Sequence, residues 1–317
     1  MHLLIPFASA LSERATEVVR DLQLPTLTRL LQRLTATTRD EADEYTLSPP
    51  HERALASAWG WPPIDGGLPF AARAAAADGV EVGERAWGLL TPAHWDVGRD
   101  HVTLADPLAL NLAEGESREL FDAVRGLFES EGFALAWGAP ARWYAAHESL
   151  ASLRCAALDR VIGRNVDLWL RGDPTASPSA RLLRRLQSEV QLLLYPHPIN
   201  EAREARGDMT VNSFWLSGCG PYRPADTGAV QVDASLRAPL LMQDWATWAD
   251  AWRTLDAGPL KELLNRLEAG GKAHGEASLT LCGERVAQRF EHRPRSLLKG
   301  MQQRWNAPQP NAVLEAL

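Results

Sequence analysis

Residues 194–220 constrain this chain more than any other stretch. In 27 residues they hold two asparagines, two arginines, a histidine between prolines and a Gly-x-Gly ending, far more polar punctuation than a buried core needs. Pro196 and Pro198 fix the chain direction around His197. Asn200, Arg203 and Asn212 then have two readings: they satisfy buried backbone in an irregular crossing between lobes, or they face a cleft between those lobes. Gly218-Cys219-Gly220 follows the apolar Phe214-Trp215-Leu216 and reads as a tight strand exit, or as backbone N–H groups open to an anion.

A chain of 317 residues can bury a sizeable core and is long enough for two lobes. Its formal charge of -7 argues against whole-surface attraction to nucleic acid or to an anionic membrane. No run approaches the roughly 18 apolar residues of a membrane span. Cys155, Cys219 and Cys282 are far apart and form no Cys-x-x-Cys, which fits a reducing, cytoplasmic setting and neither a disulfide framework nor a zinc site. The apolar start, Met1 to Leu11, lacks a Lys or Arg lead and reads as a buried first strand rather than an export signal.

The punctuation along the chain predicts an interrupted domain. Residues 2–7 read as a strand and 11–35 as helical, broken at Pro25. An acidic loop is expected over 39–50, then a short helix over 52–59. Residues 66–84, rich in Gly, Ala and Asp, read as a linker. A second lobe follows with strands near 87 and 101, an apolar-striped helix over 117–131 and a strand over 133–137. Ser177 and Pro178 start a helix running to Tyr195, with Leu182, Leu183, Leu186, Val190, Leu193 and Leu194 inward. The remainder alternates strand and helix again and ends in a Pro-rich tail, 307–311, expected to fray.

The 194–220 stretch resembles a segment of the archaeal-type, cofactor-independent phosphoglycerate mutases. There an Asn-x-x-Arg-x-x-x-Gly run is followed by Ala-Asn, an Ile-Trp-Leu-Trp strand and Gly-x-Gly; here the features fall on Asn200, Arg203, Gly207, Asn212, Trp215, Gly218 and Gly220. The stretch is also similar to the bacterial RpfE-type regulatory proteins. The resemblance continues collinearly through most of the chain. The mutases' first strand ends in Ile-Pro-Asp-Gly, whose Asp binds a catalytic metal, and Ile5-Pro6-Phe7-Ala8 stands there. Their nucleophilic serine in Pro-Gly-Ser-Asp is matched by His51 in Pro49-Pro50-His51-Glu52. Their Gly-x-x-Tyr-Arg-His resembles Gly138 to Trp143, keeping Arg142, and their Pro-Pro-His-Asp-Ile-x-Gly resembles Leu158 to Gly163, keeping Asp159. The late metal-binding Asp-His is met by Cys282-Gly283.

The resemblance implies an α/β fold: an alkaline-phosphatase-like, mostly parallel sheet from residues 1–79 and 196–317, with an inserted α+β lobe over 80–195. It also implies that most of a two-metal site is lost, since such a site needs clustered ligands and an activated nucleophile. The histidines show no ligand spacing, so no metal and no cofactor is expected. The favoured reading is a non-catalytic regulatory or binding protein that takes a small anionic or phosphorylated ligand through Arg142, Asp159, Arg160, Asn200, Arg203 and Asn212. One alternative is a divergent phosphoryl-transfer enzyme using His51 beside Glu52, although His51 also reads as a solvated or capping residue. The other is an assembly protein that docks a protein partner through Arg-rich faces at 181–185 and 289–304. Aromatic packing explains Arg142 equally simply, and a local salt-bridge network is the favoured account of Asp159 and Arg160.

Overall fold

A computed structural model describes residues 1–170, 177–226, 228, 230–269, 277–293 and 308–317. In chain order the elements begin with β1 (His2–Ile5), α1 (Glu13–Asp21), α2 (Pro25–Arg33), β2 (Thr35–Glu41), α3 (Pro50–Ala58) and α4 (Phe70–Ala77). Next come β3 (Ala86–Ala93), β4 (Trp95–Val97), β5 (Val102–Leu104), α5 (Glu114–Ser130), β6 (Ala134–Ala139), β7 (Arg142–Ala146) and α6 (Leu158–Val161). The chain continues through α7 (Pro178–Leu194), α8 (Pro198–Arg206), β8 (Ser213–Pro221), β9 (Val230–Val232), α9 (Arg237–Leu241), α10 (Trp245–Ala257) and α11 (Pro259–Glu268). Two strands, β10 (Ser278–Cys282) and β11 (Val286–Glu291), precede a last described helix, Pro310–Glu315. These elements form two compact units, one of residues 1–44, 49–62 and 225–317, the other of 45–48 and 63–224.

The first unit is a five-stranded sheet in the order β2-β11-β10-β1-β9. Strand β1 pairs in parallel with both β9 and β10, so strands from both ends of the chain share one sheet, as expected of the α/β class. The sheet is mixed: β11 runs antiparallel to β10 and to β2, which is a strand where the sequence suggests the start of an acidic loop. All four residues of β1 are buried, the signature of a strand covered on both faces. Leu3, Ile5, Leu279 and Leu281 pack with α1, α2, α10 and α11 through Val19, Leu27, Trp248, Trp252 and Leu263. Leu4 and Cys282 join Ala54 and Leu55 of α3 and Trp59 just past its end. The Pro-rich tail does not fray from Pro310 onward, because Pro310 opens a helix whose Leu314 is buried in the same core.

Helix α2 shows how the core closes over a missing cap. Its first residue is Pro25 and its N-cap, Leu24, offers no side-chain acceptor. The carboxylate of Asp256, on α10, takes that place, accepting from the N–H groups of Leu27 (2.8 Å) and Thr26 (3.0 Å). Because Asp256 is buried, Asp256→Ala strands two donors and should lower stability by about 2 kcal/mol. Urea unfolding measures it, and a loss under about 0.5 kcal/mol would refute the capping role.

The second unit is α+β. Its four-stranded antiparallel sheet, β6-β7-β3-β8, carries α5 and α7 on one face through Leu120, Phe128, Leu186 and Val190, and α4 on the other through Ala71, Ala72 and Ala75. The boundaries expected at 80 and 195 are therefore displaced. Strand β8 pairs with β3 from Ala93↔Ser213 to Ala86↔Pro221, which draws residues 196–224 into this unit. Residues 70–77 form a helix rather than a linker: alanine is the best helix former, and its small side chain lets α4 lie close on β8. Gly218 (φ +65°) makes that approach possible, since a Cβ there would sit 2.8 Å from the Ala71 nitrogen. Strand β8 also runs on to Pro221, so Gly218-Cys219-Gly220 lies within the strand, and its irregular pairing absorbs the positive φ. Leu193, expected inward, is exposed beside Leu192 and Tyr195 at the end of α7.

Candidate functional site

The carboxyl ends of β1, β9 and β10 point to one edge of the first sheet, where ligands bind in open α/β folds. The positions matched to the mutases' metal ligands and nucleophile meet there. After Ile5 the chain turns through Phe7, which holds φ +58°, a left-handed conformation that suits Asp, Asn or Gly far better than an aromatic residue. Ala8 N–H donates to the Cys282 carbonyl (2.8 Å), and the Phe7 ring lies 5.1 Å from that of His51, on the first turn of α3. The turn is held by Trp248, whose Nε1–H donates to the Phe7 carbonyl (3.2 Å).

The side chains gathered at this edge differ in chemistry from the matched ones. Phe7 has no donor atom. Cys282 is fully buried, and burial pushes its thiol well up, with the Arg53 cation opposing in part. A Cβ on Gly283 would lie 2.8 Å from the backbone and Cβ of Leu317, so no histidine fits without expelling that residue. Val286 N–H donates to the Leu317 carbonyl (3.1 Å) and keeps it in place. Arg53, beside His51 and Glu52, gives its Nε–H to Asp40 at 2.7 Å. Among the described residues no group of three His, Cys, Asp or Glu could hold a metal ion.

The six residues suggested as ligand contacts all lie in the second unit. Residues 198–206 are the helix α8 rather than an irregular crossing, with Pro198 at its start and the His197 side chain capping Ile199 N–H. Asn200 spends its amide inside the fold: Nδ2 donates to the Leu194 and Val211 carbonyls (both 2.8 Å) and Oδ1 accepts from Val211 N–H (2.9 Å). Arg203 is 1 % exposed and donates from Nε to the Met209 carbonyl (2.7 Å), from Nη1 to Glu116 (2.5 Å) and from Nη2 to the Leu110 carbonyl. Burial pushes the Glu116 carboxyl up, but bonds from Arg206, Ala113 N–H and Arg203 outweigh it and hold it below the ordinary range. Asn212 exchanges two bonds with the Trp95 backbone (2.7 and 2.9 Å). These three side chains are internal ties at one corner of the unit.

The other three sit in different networks. Arg142 forms a two-point pair with Asp78 (2.9 Å each), which also accepts from Tyr144 Oη (2.7 Å). Arg142 leads in holding the Asp78 carboxyl below its usual range, while burial and then Asp78 push the Tyr144 phenol up. Arg160, buried on α6 next to Asp159, donates to Thr46 Oγ1 (2.9 Å). Of the Arg-rich faces, Arg185 pairs with Glu131 (2.5 Å) and Arg184 donates to the Leu170 carbonyl (2.6 Å). Arg289 lies on β11 rather than a helix, paired with Glu291, and 294–304 fall outside the described residues.

The sequence reading missed a pocket in this unit. Trp169, Trp215 and Leu183 line it with Arg154, Cys155, Arg184 and Gln187. Trp215 is fixed by its Nε1–H bond to the Ala156 carbonyl (2.9 Å). Arg154 lies against Gly67, where a Cβ would overlap its guanidinium, and it has no ion-pair partner among the described residues. Buried Trp169 Nε1–H has no acceptor there either. The volume is about 50 Å³, room for a small head group and not for a whole nucleotide. No sequence spacing signals it, because its walls come from residues 153–156, 169–170, 180–187 and 215–216.

No family model and no curated protein matches this chain. Among solved structures it is similar to the PH0037 protein from Pyrococcus horikoshii, at 12 % identity and TM-score 0.44, over 92 % of this chain and 87 % of that one. It is also similar to the cofactor-independent phosphoglycerate mutase from Thermoplasma acidophilum, at 14 % identity and TM-score 0.37, over 91 % of this chain and 89 % of that one.

Proposed function

We propose that this chain is a non-catalytic binding protein whose second unit takes the anionic head group of a small ligand into the pocket beside Trp169. The observation that carries the reading is the pocket's composition: Arg154 and Arg184 line it together with an apolar wall that includes Trp169, Trp215 and Leu183. A small site with a few convergent polar groups on apolar walls is the usual form of a ligand pocket. The strand edge of the first unit supports the non-catalytic half, since Phe7 and Gly283 offer no ligand atoms and Cys282 keeps its proton.

The test is a thermal-shift screen of phosphorylated metabolites and small carboxylates, followed by titration of the best hit. Arg154→Ala should weaken binding by roughly ten-fold or more, as a lost charge-assisted contact does. Trp169→Phe, which removes the N–H together with the five-membered ring from the wall, should weaken it several-fold. Unchanged affinity in both variants would remove the pocket from consideration. Two bound divalent ions per chain, with phosphoglycerate turnover abolished by His51→Ala, would overturn the non-catalytic reading and restore the strand edge as an active site.

A further inference from the structure

Cys155 and Cys219 are 64 residues apart in sequence, yet their sulfurs lie 3.7 Å apart. Cys219 is fixed on β8 and buried, whereas Cys155 is half-buried on the pocket wall. The irregular segment around Cys155 is tied by its N–H to the Gly66 carbonyl (3.0 Å) and by Ala157 N–H to the Leu47 carbonyl (2.9 Å). Gly88, on the paired strand β3, leaves room beside the Cys219 sulfur, where a Cβ would lie 3.2 Å away. The third thiol, Cys282, is buried in the first unit and serves as an internal control.

We propose that Cys155 and Cys219 form a reversible dithiol that is oxidised to an intramolecular disulfide by a low-molecular-weight disulfide such as oxidised glutathione. The Cys155 thiolate attacks one sulfur of the reagent, whose S–S bond breaks. A mixed disulfide forms, and the departing thiolate takes the proton that Cys155 gave up. The Cys219 sulfur then attacks the Cys155 sulfur as its own proton passes to the second departing thiolate. Two electrons leave the protein thiols and reduce one disulfide to two thiols. The hydrogen bond with Cys155, and then burial, push the Cys219 thiol well up, so the first attack falls to Cys155, the less buried of the two residues. Bond formation draws the sulfurs from 3.7 Å to about 2.05 Å and pulls the pocket wall toward β8. The inference does not depend on what the pocket binds.

The experiment uses the full chain, reduced, equilibrated without air in glutathione buffers of rising oxidised fraction, then acid-quenched, alkylated and mapped by mass spectrometry. The expected result is concerted loss of two of the three thiols with no glutathione retained, a peptide joining Cys155 to Cys219, and reversal by dithiothreitol. Cys219→Ser should instead trap one glutathione per chain on Cys155. Should that variant not fold, the wild-type peptide map decides alone. A stable glutathione adduct on wild-type Cys155, three free thiols in fully oxidised buffer, or a cross-link that forms only after denaturation would each overturn the proposal.

Discussion

Replacing Arg203 by methionine should destabilise the protein by about 3 to 5 kcal/mol, the cost typical of breaking a buried charge pair from one side. The side chain donates to two carbonyls and to Glu116, and methionine fills much of its volume while supplying none of those bonds. Glu116 would keep Arg206 (2.7 Å) as its partner, but the Leu110 and Met209 carbonyls would lose this donor. Urea denaturation followed by tryptophan fluorescence gives the number. The measurement also separates the two sequence readings: a variant that keeps wild-type stability and loses ligand binding would make Arg203 a recognition residue after all.

The second large effect is a dependence on pH centred on His2. Its ring is buried against β10 and bonded through Nε2 to Thr280 Oγ1 (2.8 Å). Burial, and next the Arg289 cation, depress its pKa from 6.5 to about 4. Between those values the unfolded chain binds a proton that the folded chain refuses, so stability is complete above pH 6.5 and falls as the pH drops toward 4. At about 1.4 kcal/mol per pH unit the loss approaches 3 kcal/mol. His2→Gln preserves a polar partner for Thr280 and removes the titration, so its unfolding free energy should vary less over the same interval. Parallel curves for the two proteins would show that His2 is not the responsible group.

Most of the scaffold was legible where side chains repeat. The apolar stripes of α5 and α7 and the Ser177-Pro178 start give those helices directly, and the apolar first strand finds its place between β9 and β10. Legibility failed where packing depends on small residues or on distant chain. Helix α4 has alanine on its buried face, which carries no apolar contrast against its neighbours. In residues 194–220 the punctuation is real but local: Pro198 and His197 start a helix, and Asn200 and Arg203 serve the backbone it crosses. The carboxyl-end positions of the first sheet were legible as a group, because Phe7 and His51 do meet there. The pocket and its thiol pair were not, since nothing in a linear spacing of 64 residues announces a contact.

The placement of β1 sets an order on synthesis. Residues 63–224 are continuous, so a ribosome can release the second unit with nearly all of its partners already made. The strand His2–Ile5 is made long before its neighbours, Val230–Val232 and Ser278–Cys282, so for more than two hundred residues it has no strand to pair with. A nascent chain of this protein therefore carries an apolar strand with both edges open while those residues are made, and the chaperone demand of this unit is concentrated on that one strand.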